Sequence, residues 1–264
     1  MKKYLFTQVS FFLMTSVMFV NGMKNNEPKK IDIPFEIEIK FQVDSCNFKK
    51  IFDVVLIHSK AKNKKEQIDA YFDTVEKILA TTKQKLRIRD EINIKKNTQE
   101  FSFCFKHKYI NPETNKSETK ELEATIDNKQ GLLNIFDVLE IKGSLTTEDF
   151  DDIKDLKKNL ELHGYKQFAT IEKIRNAYLV DYKDSTLEIA LDKVKGLTDN
   201  QFIEIELKNF HGGSVQEGKD IIYNFLSSIG VSSINEYPND YLSMLLDPKK
   251  ITFVSIDVDT ITKK

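Results

Sequence analysis

The feature that most constrains this chain is an alternation of period two in which every second residue is charged. In Phe35-Glu36-Ile37-Glu38-Ile39-Lys40 an extended backbone sets Glu36, Glu38 and Lys40 on one face and Phe35, Ile37 and Ile39 on the other, because successive strand side chains point to opposite sides. The same pattern sets Lys85, Arg87 and Arg89 against Leu86 and Ile88, and Glu204, Glu206 and Lys208 against Ile203, Ile205 and Leu207. Lys106 with Lys108, Glu121 with Glu123, and Lys173 with Arg175 follow it. An ordinary antiparallel sheet also has one wet face. Here most polar positions are fully charged, and the signs are sorted by strand. The first and last strands supply carboxylate pairs; the middle ones supply mostly Arg and Lys. Like charges on one strand face repel, so each row calls for a counter-ion. Mg²⁺ or Mn²⁺ suits the carboxylates, being hard cations that prefer oxygen. A polyanion suits the Arg and Lys rows, since phosphate oxygens match guanidinium forks. A barrel holding both rows side by side is a site for a metal-bound polyphosphate.

Alternation predicts strands over Phe35–Val43, Gln84–Asn93, Glu100–Tyr109, Glu118–Asp127, Gln167–Lys173, Ala177–Tyr182, Thr186–Val194 and Phe202–Phe210, with a short one at Ile251–Val258. Helical spacing marks Phe150–His163, ending before Gly164, and Val215–Ser228, ending before Gly230. A third helix is expected at Asn47–Lys60, a solvated linker at Lys60–Glu66 and a turn at Asn111–Ser117. About eight strands with helices inserted between groups of them predict an α+β fold. Its centre is a single antiparallel β-barrel, a closed tunnel with flanking helices. A weak internal duplication fits, since the Phe35–Lys40 pattern nearly recurs at Phe202–Lys208.

Composition narrows the function. Lys plus Arg is 40 and Asp plus Glu 41, a net charge of −1, which argues against a basic nucleic-acid binder. Hydrophobic residues at 40% suffice for a core. Cys46 and Cys104 are too few for a metal cluster or a disulfide framework. His58, His107, His163 and His211 show no ligand spacing. Lys2 and Lys3, the largely apolar run Tyr4–Val20, and the small residue Gly22 read as a secretory signal peptide over residues 1–22. A linker over 23–32 and one domain over 33–264 would follow. The expected localisation is export, periplasmic or secreted, with no membrane association after cleavage. In an oxidising compartment Cys46 and Cys104 could pair only if their Cα atoms lie close.

Glu36-Ile37-Glu38-Ile39-Lys40 resembles the ExExK signature of the CYTH superfamily, the triphosphate tunnel metalloenzymes. The resemblance continues in order through Tyr71-Phe72-Asp73-Thr74, Leu86-Arg87-Ile88-Arg89, Phe103-Cys104-Phe105-Lys106, Glu121-Leu122-Glu123, Lys173-Ile174-Arg175, and Leu187–Asp192 followed by Glu204-Ile205-Glu206. It departs at Thr119, where the family's R-x-E-x-E strand carries Arg. The resemblance implies that Glu36, Glu38, Asp192, Glu204 and Glu206 ligate Mg²⁺ or Mn²⁺ and that Lys40, Arg87, Arg89, Lys106, Lys173 and Arg175 hold a triphosphate. Glu36, Glu38 and Lys40 would be the catalytic signature, with Glu121 and Glu123 on the tunnel wall. The Asn239-Asp240-Tyr241-Leu242 segment resembles a family tail that packs on the barrel. The function implied is metal-dependent hydrolysis of an inorganic or organic triphosphate. A class IV adenylyl cyclase and a non-catalytic polyphosphate-binding module are the alternatives.

Overall fold

The computed structural model describes residues 35–262, apart from 111, 113–114, 116, 142–144, 198–201, 209, 211–212, 238–239 and 248–251. The expected signal segment and linker lie outside the described residues, as do His211, Asn239 and much of the expected 111–117 turn.

The first strand is broken at Ile37 into β1 (Phe35–Glu36) and β2 (Glu38–Gln42). β1 pairs with β6 (Ser117–Thr125), and β2 pairs with β9 (Phe202–Lys208). Between them, moving from β6, come β5 (Thr98–Ile110), β4 (Gln84–Asn93), β3 (Ala61–Thr74), β7 (Tyr165–Tyr182) and β8 (Ser185–Val194), all antiparallel. The order begins and ends on one chain segment, so the sheet returns on itself as a barrel. β10 (Ser233–Glu236) and β11 (Val254–Asp257) extend it beyond β2.

Two sequence expectations are corrected here. The stretch Lys60–Glu66 is not a linker, because β3 begins at Ala61 and pairs with β7 from Ala61↔Leu179 onwards. Gln167–Lys173 and Ala177–Tyr182 are not separate strands but parts of one 18-residue β7. In β3 the buried Gln67 and Asp69 face inward while Ile68 is exposed. Polar residues lie on both faces of its first half, which hides the alternation.

Helices form where caps and apolar spacing agree. α1 (Ser45–His58) starts two residues before the expected helix, because the Asp44 carboxylate accepts from the Asn47 amide at 2.8 Å. α4 (Ile153–Leu162) starts later than expected, capped by Asp152. α5 (Val215–Ser228) carries a Ser214–Glu217 capping box. Gly164 and Gly230 end α4 and α5 with φ of 85° and 75°, a conformation that glycine adopts at no steric cost. α2 (Ile78–Thr81), α3 (Lys129–Val138), α6 (Tyr241–Leu246) and α7 (Val258–Thr262) complete the set.

The apolar face of the barrel points outward, so helices cover it. On one side Ile39, Phe41, Ile203 and Ile205 pack with Ile51 and Val55 of α1 and Ile222 and Leu226 of α5. On the other, Leu86, Ile88, Phe103 and Phe105 pack with Leu132 and Phe136 of α3 and Leu156 and Leu160 of α4. Each fully buried aliphatic or Phe side chain contributes about 1.5–3 kcal/mol. A third cluster plugs one end of the tunnel. Tyr71, Ile171, Val194 and Phe202, on the inward faces of their strands, meet Tyr237 and the α6 residues Tyr241, Leu242 and Met244.

Candidate active site in the barrel tunnel

The barrel encloses a cavity of about 820 Å³. Of the residues implied by sequence, Glu36, Glu38, Lys40, Arg87, Arg89, Lys106, Glu121, Glu123, Lys173, Arg175, Glu204 and Glu206 line it. They come from seven strands, β1, β2, β4, β5, β6, β7 and β9, because each exposes its charged face to the interior. Asp192 is not in the lining and is fully buried. The Arg175 guanidinium donates to it from Nε at 2.8 Å and Nη2 at 2.6 Å, and the Tyr241 hydroxyl donates at 3.0 Å. Lys173 lies 3.7 Å away.

Sequence reasoning missed Asp69 of β3, which organises the cationic wall. Its carboxylate accepts from Arg89 Nε at 2.6 Å and Nη2 at 2.9 Å, and Arg87 stands 3.6 Å away. Burial opposes the charge of Asp69, yet Arg89 and Arg87 hold its carboxyl well below the usual range. Gln67, Asp69 and Tyr71 against Ala70 and Phe72 is an alternating pattern that could have revealed both strand and residue. Asp73 faces the backbone instead, accepting from the amides of Thr74, Leu79 and Ala80 at 2.8–3.0 Å.

Opposite charges are interlaced throughout. Lys106 donates to Glu36 at 2.6 and 2.7 Å and lies 3.1 Å from Glu121. Glu121 also accepts from the Cys104 thiol at 2.8 Å, and Glu123 from Ser102 at 2.7 Å. Cys104 is buried and Cys46 exposed, and both are free thiols. Arg175 reaches Glu204 at 2.9 Å, and Lys40 pairs with Glu204 at 3.2 Å and with Glu38. Burial works against the Lys40 charge, but Glu204 and Glu38 hold its pKa above the usual value. Burial works against Glu204 too, yet Arg175 and Lys40 hold it well below its usual value. Among the described residues Arg87 Nε has no hydrogen-bond partner, although it is buried. A buried donor of this kind is costly to leave unmet.

The carboxylate wall differs. Glu38 stands directly across from Glu206, and Glu206 directly across from Glu188. Burial and the neighbouring Glu36 push Glu38 up. Burial pushes Glu206 up to about 7, despite Lys208 at 2.6 Å. Carboxylate oxygens are the donors on this wall, and that chemistry fits a hard divalent cation. Among the described residues no three His, Cys, Asp or Glu side chains are already gathered around one point. Burial and Arg175 push Lys173 of β7 down to about 7.

The sequence pattern of the CYTH domain matches residues 34–241. A Methanocaldococcus jannaschii protein named as a candidate adenylate cyclase is 26% identical over 211 residues, 79% of this chain and 97% of that protein. Among solved structures, a Pyrococcus horikoshii protein superposes with a TM-score of 0.57 at 22% identity, covering 81% of this chain and 99% of its own. A Hippeastrum protein, described as a candidate adenylyl cyclase with a dominant triphosphatase activity, has a TM-score of 0.51 at 17% identity. It is matched over 81% of this chain and 96% of its own. The two structures share the fold, and the matched domain spans most of the sequence: the chain belongs to the CYTH domain family.

Proposed function

We propose that this chain is a metal-dependent triphosphatase that hydrolyses a phosphoanhydride bond of an inorganic or organic triphosphate held in the tunnel. The observation that carries this reading is the interlacing of carboxylate and cationic rows inside one cavity. Within the tunnel the two rows pair in part with one another. A metal-bound triphosphate offers both an exchange of partners, so neither sign is left unmet in a low-dielectric interior.

Arg87, Arg89, Lys106, Lys173, Arg175 and Lys40 would hold the phosphate oxygens. Lys106 and Lys40 would release Glu36 and Glu38 as they turn to phosphate. Of the five carboxylates that the resemblance implies for Mg²⁺ or Mn²⁺, Glu36, Glu38 and Glu206 would then be free to hold the cation, whereas Glu204 and Asp192 already pair with Arg175 and would anchor it instead. A bound divalent cation supplies charge neutralisation and polarises a phosphoryl oxygen. Phosphoryl transfer asks the protein chiefly for positioning and electrostatic stabilisation, which a rigid barrel provides.

The Hippeastrum relative's description favours hydrolysis, while the name of the M. jannaschii relative favours cyclisation of ATP. The basic and then apolar start of the chain adds the inference that it is exported. ATP is scarce outside the cytoplasm, which favours hydrolysis. The test is to incubate the protein with tripolyphosphate, thiamine triphosphate and ATP, each with Mg²⁺ or Mn²⁺. Released phosphate is expected. Cyclic AMP would instead support the cyclase, and binding without turnover a non-catalytic module. Glu38→Gln should abolish turnover in a folded protein. Arg87→Ala should mainly raise KM, by about tenfold or more for a lost charge-assisted contact.

A further inference from the structure

The plugged end of the tunnel is only half plugged. Beside α6, the β4–β5 side of the same end is a rim of lysines that the triphosphate roles leave unused. Lys83, Lys85 and Lys108 all line the cavity. Lys85 is on the same face of β4 as Arg87 and lies directly across the ladder from Lys106. It therefore continues the phosphate-facing row outward without a gap. Lys108 lies directly across from Thr119, a short neutral side chain that also lines the cavity. The rim is like-charged. Burial, then Lys106, Lys108 and Lys40, push Lys85 down to about 7. Burial, then Lys219, Lys40 and Lys83, push Lys108 down as well. One anion that meets this rim comes from the chain itself. Asp240, the residue capping α6, lines the cavity and forms an ion pair with Lys85.

We infer that Lys85 and Lys108, with Lys83 at the edge, form a further phosphate subsite contiguous with Arg87 and Lys106, which takes a fourth phosphate of a linear polyphosphate, and that the Asp240 carboxylate occupies this subsite when no ligand is bound. The inference rests on the triphosphate reading of the tunnel and extends it in chain length. A phosphate carries more charge than a carboxylate and accepts from several donors at once, so it displaces Asp240 from Lys85. Asp240 retains its second role, accepting from the Ser243 amide at 2.8 Å through the other oxygen.

The experiment is calorimetric titration of the full chain with inorganic tripolyphosphate and with inorganic tetrapolyphosphate, at one fixed Mg²⁺ concentration and ionic strength. Tetrapolyphosphate is expected to bind about tenfold tighter, the worth of one charge-assisted contact. Lys85→Gln and, separately, Lys108→Gln should erase most of that advantage while changing tripolyphosphate affinity by about twofold or less. Asp240→Asn should enlarge the advantage, because the internal competitor loses its charge. Thermal melts establish that each variant is folded, and the two lysine variants serve as independent tests. Equal binding of the two lengths by the wild-type chain would overturn the subsite and leave the triphosphate reading standing. Equal weakening of both lengths by the lysine variants would also overturn it, since the lysines would then only support the general site. Failure of tripolyphosphate to bind at all would overturn the underlying reading and this inference together.

Discussion

A single buried carboxylate shows how the cationic wall is kept in order. Asp69 is 2% exposed and grips Arg89 through two hydrogen bonds, with Arg87 beside it. Removing the charge strands the Arg89 guanidinium in the interior, while Arg87 keeps Glu121 and Glu123 at 3.5 and 3.8 Å, a loss of about 3 kcal/mol or more. Asp69→Asn should therefore be destabilised by that amount in urea unfolding at pH 7. The sign with pH follows from the direction of the shift, because the carboxyl is lowered in the folded chain. Its contribution is whole above the unfolded value near pH ~4 and is lost as pH falls towards the lower folded value. The gap between wild type and variant should narrow as unfolding is repeated below pH ~4. A gap that stays constant would show that the arginines do not depend on the charge of Asp69. Sequence reading placed Arg87 and Arg89 on one face from spacing alone. The alternation around Asp69 marks it as an inward residue but not as their anchor, because it lies about twenty residues away along the chain and joins them only through the β3–β4 register Asp69↔Arg89.

At the scale of elements, legibility depended on how different the two faces of a strand are. β4 is polar inward and apolar outward, and its ends match the expected Gln84–Asn93. In the first half of β3, Lys62, Lys64 and Glu66 face solvent while Asn63 and Lys65 face the tunnel, so both faces are polar and the segment reads as a linker. The helices must fit an outward-facing apolar sheet, and closeness there is tested at α5. A Cβ on Gly218 would stand 2.5 Å from Ile37 Cδ1 and 3.0 Å from its Cγ2. Ala gains about 1 kcal/mol of helix propensity over Gly, but overpacking costs about 1–3 kcal/mol. Gly218→Ala should thus lose about 1 kcal/mol net, read as a lower Tm. A variant more stable than wild type would mean that α5 can slide on β2 and β9.

For the molecule as a whole, the inverted barrel moves the apolar burial to its outside and leaves charge at its centre. Stability and function are then in tension, because the central charges are satisfied by one another in the free chain and by ligand in the bound one. A ligand that meets both rows should stabilise the whole barrel. At a hundredfold excess over Kd, binding to the native state alone is worth about 2.7 kcal/mol. In a domain of this size that corresponds to a Tm rise of about 5–10 °C. Tripolyphosphate with Mg²⁺ should produce this shift, and a chelator should reverse the part that depends on the cation. An unchanged Tm at saturating ligand would contradict the exchange of partners inside the tunnel.

The sequence by itself determined which side chains share a strand face, which strands carry which sign, and, through the ordered series from Glu36 to Glu206, the family. These are properties of residues two apart on one strand, and extended backbone geometry settles them locally. Only the tertiary structure decided that Asp192 answers Arg175 and Tyr241, that Asp69 holds the arginine row, and that Asp240 reaches Lys85 at the tunnel end. Those pairings depend on inter-strand register, on closure through the first strand and on where α6 docks. They join residues far apart in the chain, and no local period encodes them.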